Sequence, residues 1–195
     1  NQWFPTDTLE KYEHAKEHFN PISDSFSKNV QNQNKDIQKS PIFKSYDIRG
    51  EWGVDFNIDT VSKIAHALAN HFSPKVIVIG RDMRPSSIEI FDTMAEIFTN
   101  KGITVKDVGL CSTELTYYAS SFFRDIDLAL MITASHNPAK DNGIKITSKG
   151  GISIGLENGL SQIRDEVHAS TIDNSLQSNS QEEKGIIEQF DIWAF

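Results

Sequence analysis

Ser135 is the residue around which chemistry could be built. It lies in the run Thr133-Ala134-Ser135-His136-Asn137-Pro138, closely followed by Asp141-Asn142-Gly143-Ile144-Lys145-Ile146. A serine hydroxyl is a weak nucleophile until a base, a cation or a metal activates it. His136 and Lys145 are nearby side chains able to move protons. Asn137 can donate and accept hydrogen bonds, and Pro138 fixes its own φ and stiffens the turn. The plain alternative is a polar loop that only caps two strands. Two other segments carry charge suited to an anion. Arg49 precedes Gly50, and its guanidinium offers a planar fork of donors; the alternative is a surface arginine. Asp82 stands between Arg81 and Arg84, which reads first as salt-bridge support of a loop and second as ligand contact.

These residues need a frame, and the apolar pattern supplies one. Val76-Ile77-Val78-Ile79 is a run of four β-branched residues, apolar on both faces, as in a central strand of a covered sheet. Ile103 to Val105, Leu128 to Ile132 and Gly143 to Ile146 read as three more strands. A helix capped by Asp59 runs to about Phe72, with Val61, Ile64, Ala65, Leu68 and Phe72 on one stripe. His66 and His71 lie off that stripe, read as solvated, and are assigned no metal. A second helix runs from the capping-box pattern Ser86-Ser87-Ile88-Glu89 to about Lys101, with Ile88, Phe91, Met94, Ala95 and Phe98 inward. Gly102 suits its end. A third runs from Leu115 to about Phe123 behind Thr113, with Tyr117, Tyr118, Phe122 and Phe123 as core and flank. Gly155 to Ala169 reads as a fourth, with Leu156, Leu160, Ile163 and Val167 inward. Strand, helix and strand joined by short links imply a right-handed βαβ unit. The expected fold is α/β: a three-layer α/β/α domain with a mostly parallel, four-stranded mixed sheet between helices. Ser135 then sits at the C-terminal end of the third buried strand, where such folds build sites.

The two ends differ from this middle. Residues 1–41 read as an extension, with a short helix to about Phe19 behind an Asp7…Glu10 capping box and a polar linker after Asn20-Pro21. Residues 42–169 read as the domain. Residues 170–195 read as a linker and the start of a truncated second domain, because Ile186 to Phe195 turns apolar and aromatic again, as the first piece of a following domain or the strand that leads into one. The chain of 195 residues carries a net charge of −8 and no basic stripe, which argues against nucleic acid as a partner. No apolar run approaches the ~20 residues of a membrane span. Cys111 is the only cysteine, so an internal disulfide and a Cys-based zinc site are excluded. The expected compartment is the cytoplasm.

Ala134-Ser135-His136-Asn137-Pro138, with Asn142-Gly143-Ile144-Lys145 downstream, resembles the phosphoserine loop of the α-D-phosphohexomutases, which include phosphomannomutases and phosphoglucomutases. Tyr46-Asp47-Ile48-Arg49-Gly50 is similar to that family's first active-site loop, and Gly80-Arg81-Asp82-Met83-Arg84 to its Gly-Arg-Asp-x-Arg segment. Ser112-Thr113-Glu114 looks like a bacterial phosphomannomutase branch that supplies GDP-mannose. The resemblance covers Phe43 to Ile154, the first of four domains in the family, so its fold is expected to be that of phosphohexomutase domain I.

Several roles follow from the resemblance. Ser135 would carry a phosphoryl group and, through it, bind Mg²⁺, whose other ligands would lie outside this chain. Arg49 and Lys145 would bind substrate and handle charge and proton transfer. His136 and Asn137 would hold the loop or assist, and Asp82 and Arg84 would support it. The implied reaction interconverts mannose 6-phosphate and mannose 1-phosphate through a bisphosphorylated sugar. The implied partners are a hexose phosphate and the remaining domains of the same polypeptide. Phosphoglucomutase or phosphoglucosamine mutase activity is the alternative within the family. The family's metal loop and sugar-recognition loop are not found among these residues, so the chain alone is expected to be inactive. Two rivals come from other classes. A serine hydrolase lacks its Gly-x-Ser-x-Gly elbow here. A non-catalytic phosphosugar-binding domain would keep Arg49 without needing the serine.

Overall fold

The computed structural model describes residues 42–170 and 184–192. The capping box, short helix and linker expected within residues 1–41 lie outside the described residues, as do 171–183 and 193–195 of the expected second linker and domain start.

Four strands form the centre of one sheet, β2 (Val76–Arg81), β3 (Thr104–Leu110), β4 (Leu128–Ile132) and β5 (Asp141–Ser148), of which β2 and β4 carry the unbroken apolar runs. Every residue of β4 is buried. Three short strands widen the sheet: β1 (Ile48–Glu51), β6 (Ile152–Ser153) and β7 (Ile187–Gln189), giving the order β1-β5-β4-β2-β3-β7 with β6 beside β5. β2 pairs in parallel with β3 and β4, and β3 with β7. β5 pairs antiparallel with β4, β1 and β6. The sheet is therefore mixed, as expected, but half of its pairings are antiparallel. The cause is the short link from Ile132 to Asp141: a parallel return needs a crossover of a dozen or more residues.

Helices α1 (Ile58–Phe72), α2 (Pro85–Asn100), α3 (Thr113–Phe122) and α4 (Ser161–Ala169) cover the two faces. Period-two alternation decides which strand residue meets which helix. Ile77 and Ile79 join Leu68, Met94, Phe98 and Ile163 in one core, under α1, α2 and α4. Val78 and Ala129 point the other way, with Ala119 of α3 and Ile126 in a smaller cluster. This is the expected three-layer arrangement.

Local chemistry moves several boundaries. Asn57, not Asp59, caps α1: its extended backbone lets Oδ1 accept from the Thr60 amide at 3.0 Å. Asp59 lies inside the first turn, where its charge suits the helix dipole and it pairs with Lys63 at 3.2 Å. α2 starts at Pro85, a residue suited to the first helical position. Its inward stripe is then Ser87, Ile90, Phe91, Met94, Ala95 and Phe98, while Ile88 is turned out to solvent. Tyr118 and Phe122, expected as core or flank, are an exposed stacked pair with ring centroids 5.1 Å apart. The expected helix from Gly155 is instead a wide turn over Leu156–Leu160, broken by Gly159 at φ 138°, before α4 begins. A side chain at Gly159 would be strained by that backbone and would crowd Phe72.

Candidate active site

The serine loop begins where β4 ends. Buried Thr133 continues the β4–β5 pairing by donating its amide to Gly143 O at 2.9 Å, and its hydroxyl accepts the Ser135 amide at 2.8 Å. Ser135 then adopts φ 58°, in the left-handed region that a residue with a Cβ rarely enters. Such a conformation persists only where the surroundings over-determine it. The result is an exposed hydroxyl at the strand end, with Oγ 3.3 Å from His136 Nδ1.

Arg84 supplies much of that determination. Its Nη1 donates to Pro138 O at 2.6 Å and Asp141 O at 2.9 Å, and its Nη2 to Ser135 O and Asn137 O, each at 2.9 Å. One rigid guanidinium thus gathers four carbonyl oxygens of the loop, which are then not free to face an approaching anion. Nε donates to Asp82 Oδ2 at 2.9 Å. Asp82 in turn accepts from the Arg84 amide at 3.1 Å and the Ser87 hydroxyl at 2.8 Å. Burial would raise the pKa of Asp82, but hydrogen bonds from Thr133, Arg84 and Ser87 outweigh it and hold the carboxyl below its ordinary value.

A cationic cluster reaches the loop from the other side. Gly143 lets β1 lie close against β5, because a Cβ there would fall 2.1 Å from Ile48 O. The pairing sets Arg49 opposite Gly143. Arg49 Nη1 donates to Asn137 Oδ1 at 2.9 Å, while Asn137 Nδ2 donates to Asp141 Oδ2 at 2.7 Å. Arg49 Nη2 and Lys145 Nζ both donate to Asp47 Oδ2, the latter at 2.7 Å. Burial acts to raise the pKa of Asp47, and the hydrogen bonds and charges of Lys145 and Arg49 hold it below the usual carboxylate range instead. Arg49 Nε is the one buried side-chain nitrogen or oxygen without a partner among the described residues. Beneath the loop, Asn142 is fully buried. Its Nδ2 donates to Ser86 Oγ at 2.8 Å and Ser87 Oγ at 3.0 Å, and its Oδ1 accepts the Gly143 amide at 2.8 Å.

The fold therefore ties Ser135, His136, Asn137, Arg49, Asp82 and Arg84 together at the end of β4, and Lys145, opposite Met131 on β5, joins them through Asp47. Arg81 does not share Asp82 as the spacing suggested. It reaches across to Asp107 on β3 at 2.7 Å, its guanidinium 4.6 Å from the Phe91 ring centre. Asp47, Thr133 and Asn142 were not singled out in the sequence as site residues. Asp47 and Asn142 lie inside the quoted motifs, but their partners are 98 and 56 residues away. An open cleft beside Ser135 is lined by Arg84, Cys111, Thr113, Glu114 and Met131. Burial pushes the Cys111 thiol up. Among the described residues no group of three or more His, Cys, Asp or Glu side chains could hold a metal ion. Toward a divalent cation the site offers the Ser135 oxygen, a hard ligand, and no ligand cluster of its own.

Residues 40–173 match the family model for the phosphoglucomutase/phosphomannomutase α/β/α domain I. A phosphomannomutase of Escherichia coli K12 is 35% identical over 128 residues, covering 66% of this chain and 28% of the relative. A Klebsiella pneumoniae phosphomannomutase is 37% identical over 122 residues, covering 63% of this chain and 77% of the relative. The crystal structure of a phosphoglucomutase/phosphomannomutase family protein from Burkholderia thailandensis superposes with a TM-score of 0.64 at 27% identity, over 78% of this chain and 33% of that one. The chain thus spans little more than a quarter of the E. coli relative's length.

Proposed function

This chain belongs to the phosphoglucomutase/phosphomannomutase family, and we propose from that premise that it is the phosphoserine-bearing domain of a phosphomannomutase. On this reading residues 42–169, with β7 added at the edge of their sheet, form the domain, residues 1–41 an extension, and the chain around β7 a link onward. Ser135 carries a phosphoryl group and passes it to the free hydroxyl of mannose 1-phosphate or mannose 6-phosphate. The bisphosphorylated sugar turns over in the site and returns its other phosphoryl group to Ser135.

The observation that carries the proposal is the placement of Ser135. Its hydroxyl is exposed at a strand end, on a backbone clamped by Arg84, with Arg49 tied into the same loop through Asn137. Phosphoryl transfer asks a protein mainly for in-line positioning and charge neutralisation. Arg49 brings a guanidinium tied to the loop through Asn137, and Lys145 an ammonium, both of a charge suited to phosphoryl oxygens. Lys145 is the group proposed to hold or release the proton of the attacking or leaving hydroxyl. Asn137 and His136 steady the loop. Mg²⁺, when bound, would neutralise charge on the phosphoryl oxygens, and this chain's ligand toward it is the phosphate on Ser135. The proposed substrate partner is a hexose phosphate.

The mannose preference rests on the names of the relatives and on Ser112-Thr113-Glu114 at the rim of the cleft. A hydrolase triad is disfavoured, because among the described residues no hydrogen bond joins His136 to a carboxylate. The test is a coupled isomerisation assay on the complete gene product with mannose 1-phosphate and glucose 1-phosphate. Turnover lost on Ser135→Ala supports the proposal; turnover that persists in Ser135→Ala refutes it. Labelling of Ser135 by a serine-directed acylating reagent would support the hydrolase instead.

A further inference from the structure

Asp47 precedes β1 and is only 7% exposed. One of its oxygens, Oδ2, accepts from both Arg49 on β1 and Lys145 on β5. Two cations brought this close repel, and the repulsion grows as water is excluded. One carboxylate against two cations leaves the trio with a single net positive charge. The far end of Arg49 is fixed by Asn137 in the serine loop at 2.9 Å. With Nε unpartnered, the guanidinium is anchored at those two ends. Lys145 has Asp47 as its salt-bridge partner.

We infer that Asp47 is a positioning residue for phosphoryl transfer: its carboxylate sets Arg49 and Lys145 at a fixed spacing beside Ser135, so that both cations act on one phosphoryl group. The inference rests on the phosphotransfer reading above. It makes Asp47 act through its two partners, with no contact to substrate required. It also gives an anomalous expectation. Removing this negative charge adds attraction for an anion, yet anion binding weakens, because the two cations no longer converge.

The experiment compares the chain with D47N, D47E and the control D92N, which makes the same charge change at an exposed position on α2. Two signals are read. One is the ammonium proton–nitrogen NMR correlation of Lys145, visible in mildly acidic, cold buffer only while a hydrogen bond protects it. The other is the titration of inorganic phosphate, followed at the amides of Ser135 to Asn137. D47N is expected to lose the Lys145 signal and bind phosphate about tenfold more weakly. D47E is expected to keep the signal and bind within about threefold of the parent, and D92N to match the parent. Phosphate binding by D47N that equals or exceeds the parent's, with the Lys145 signal retained, overturns the inference. So does a folded D47E that restores neither signal. Should D47N fail to fold, the D47E result alone decides in the same two directions. If the parent shows no phosphate response at Ser135 to Asn137, the phosphotransfer reading fails. Asp47 is then judged on the Lys145 signal, whose loss in D47N supports its role and whose persistence refutes it.

Discussion

Replacing Arg84 by methionine keeps most of the side chain's length and removes its charge and donors. Five side-chain hydrogen bonds disappear: one to Asp82 and four to the carbonyls of Ser135, Asn137, Pro138 and Asp141. Those to Ser135 and Pro138 are exposed, and water can replace them at little loss. Those to Asn137 and Asp141 are part-buried. Each is a hydrogen bond to a charged group, a kind that contributes about 1.5–3 kcal/mol. Asp82 also loses its salt bridge, although it keeps Ser87 and the residue-84 amide as donors. The sum is a destabilisation of about 3–5 kcal/mol, which lowers the melting temperature of a domain this size by roughly 10 °C or more. Arg84→Lys retains the charge but offers no planar fork, and should recover less than half of the loss. Urea unfolding measures the total, and amide exchange over residues 134–141 locates it. A methionine variant within about 1 kcal/mol of the parent, with unchanged exchange in the loop, would refute the clamp.

The remaining predictions concern the polar residues around that clamp. Asp47 and Asp82 are both held below the ordinary carboxylate value of 3.8. A depressed folded-state pKa contributes stability that is complete above the unfolded value and is lost as pH falls through the folded one. Urea midpoints should therefore fall as the solution is acidified below 3.8, and fall less steeply in Asp47→Asn and Asp82→Asn; parallel profiles would contradict the linkage. Asn142→Ala leaves Ser86 and the Gly143 amide without their buried partner and removes one from Ser87, and should lose about 2–3 kcal/mol by chemical denaturation. A loss below about 0.5 kcal/mol would mean those groups find other partners.

The central strands and the strand-end position of Ser135 were legible because both depend on local pattern. Val76 to Ile79 and Leu128 to Ile132 are unbroken apolar runs, and few other structures bury such runs on both faces. β1 was not legible: Ile48-Arg49-Gly50-Glu51 is short and half polar, and becomes a strand only where the edge of β5 receives it. Ile186 to Phe195 reads as a piece of a following domain or a strand leading into one, whereas Ile187-Glu188-Gln189 pairs with β3 of this same sheet, a partner more than 80 residues away that local sequence does not name. The helix starts turned on similar choices. Asn57 and Asp59 are both capping residues two positions apart, and the extended backbone at Asn57 decides between them. Gly159 fits a helical pattern by spacing, and the non-helical backbone at Asn158, φ −137°, and Gly159, φ 138°, breaks it. Within the site the residue types were readable but their partners were not. Nothing in the local sequence around Asp47 points to Lys145, and nothing in Gly-Arg-Asp-Met-Arg tells that Arg84 turns to the serine loop while Arg81 turns to Asp107.

The central claim is that Ser135 carries the phosphoryl group. It is tested most directly by mapping phosphorylation on the complete gene product purified from cells, before and after incubation with mannose 6-phosphate. The expected result is one phosphoryl group on the peptide containing Ser135, which moves to the sugar during the incubation and is absent from Ser135→Ala. An unmodified Ser135 that stays unmodified after exposure to a hexose bisphosphate and Mg²⁺, in a protein that still isomerises the sugar phosphate, would contradict it.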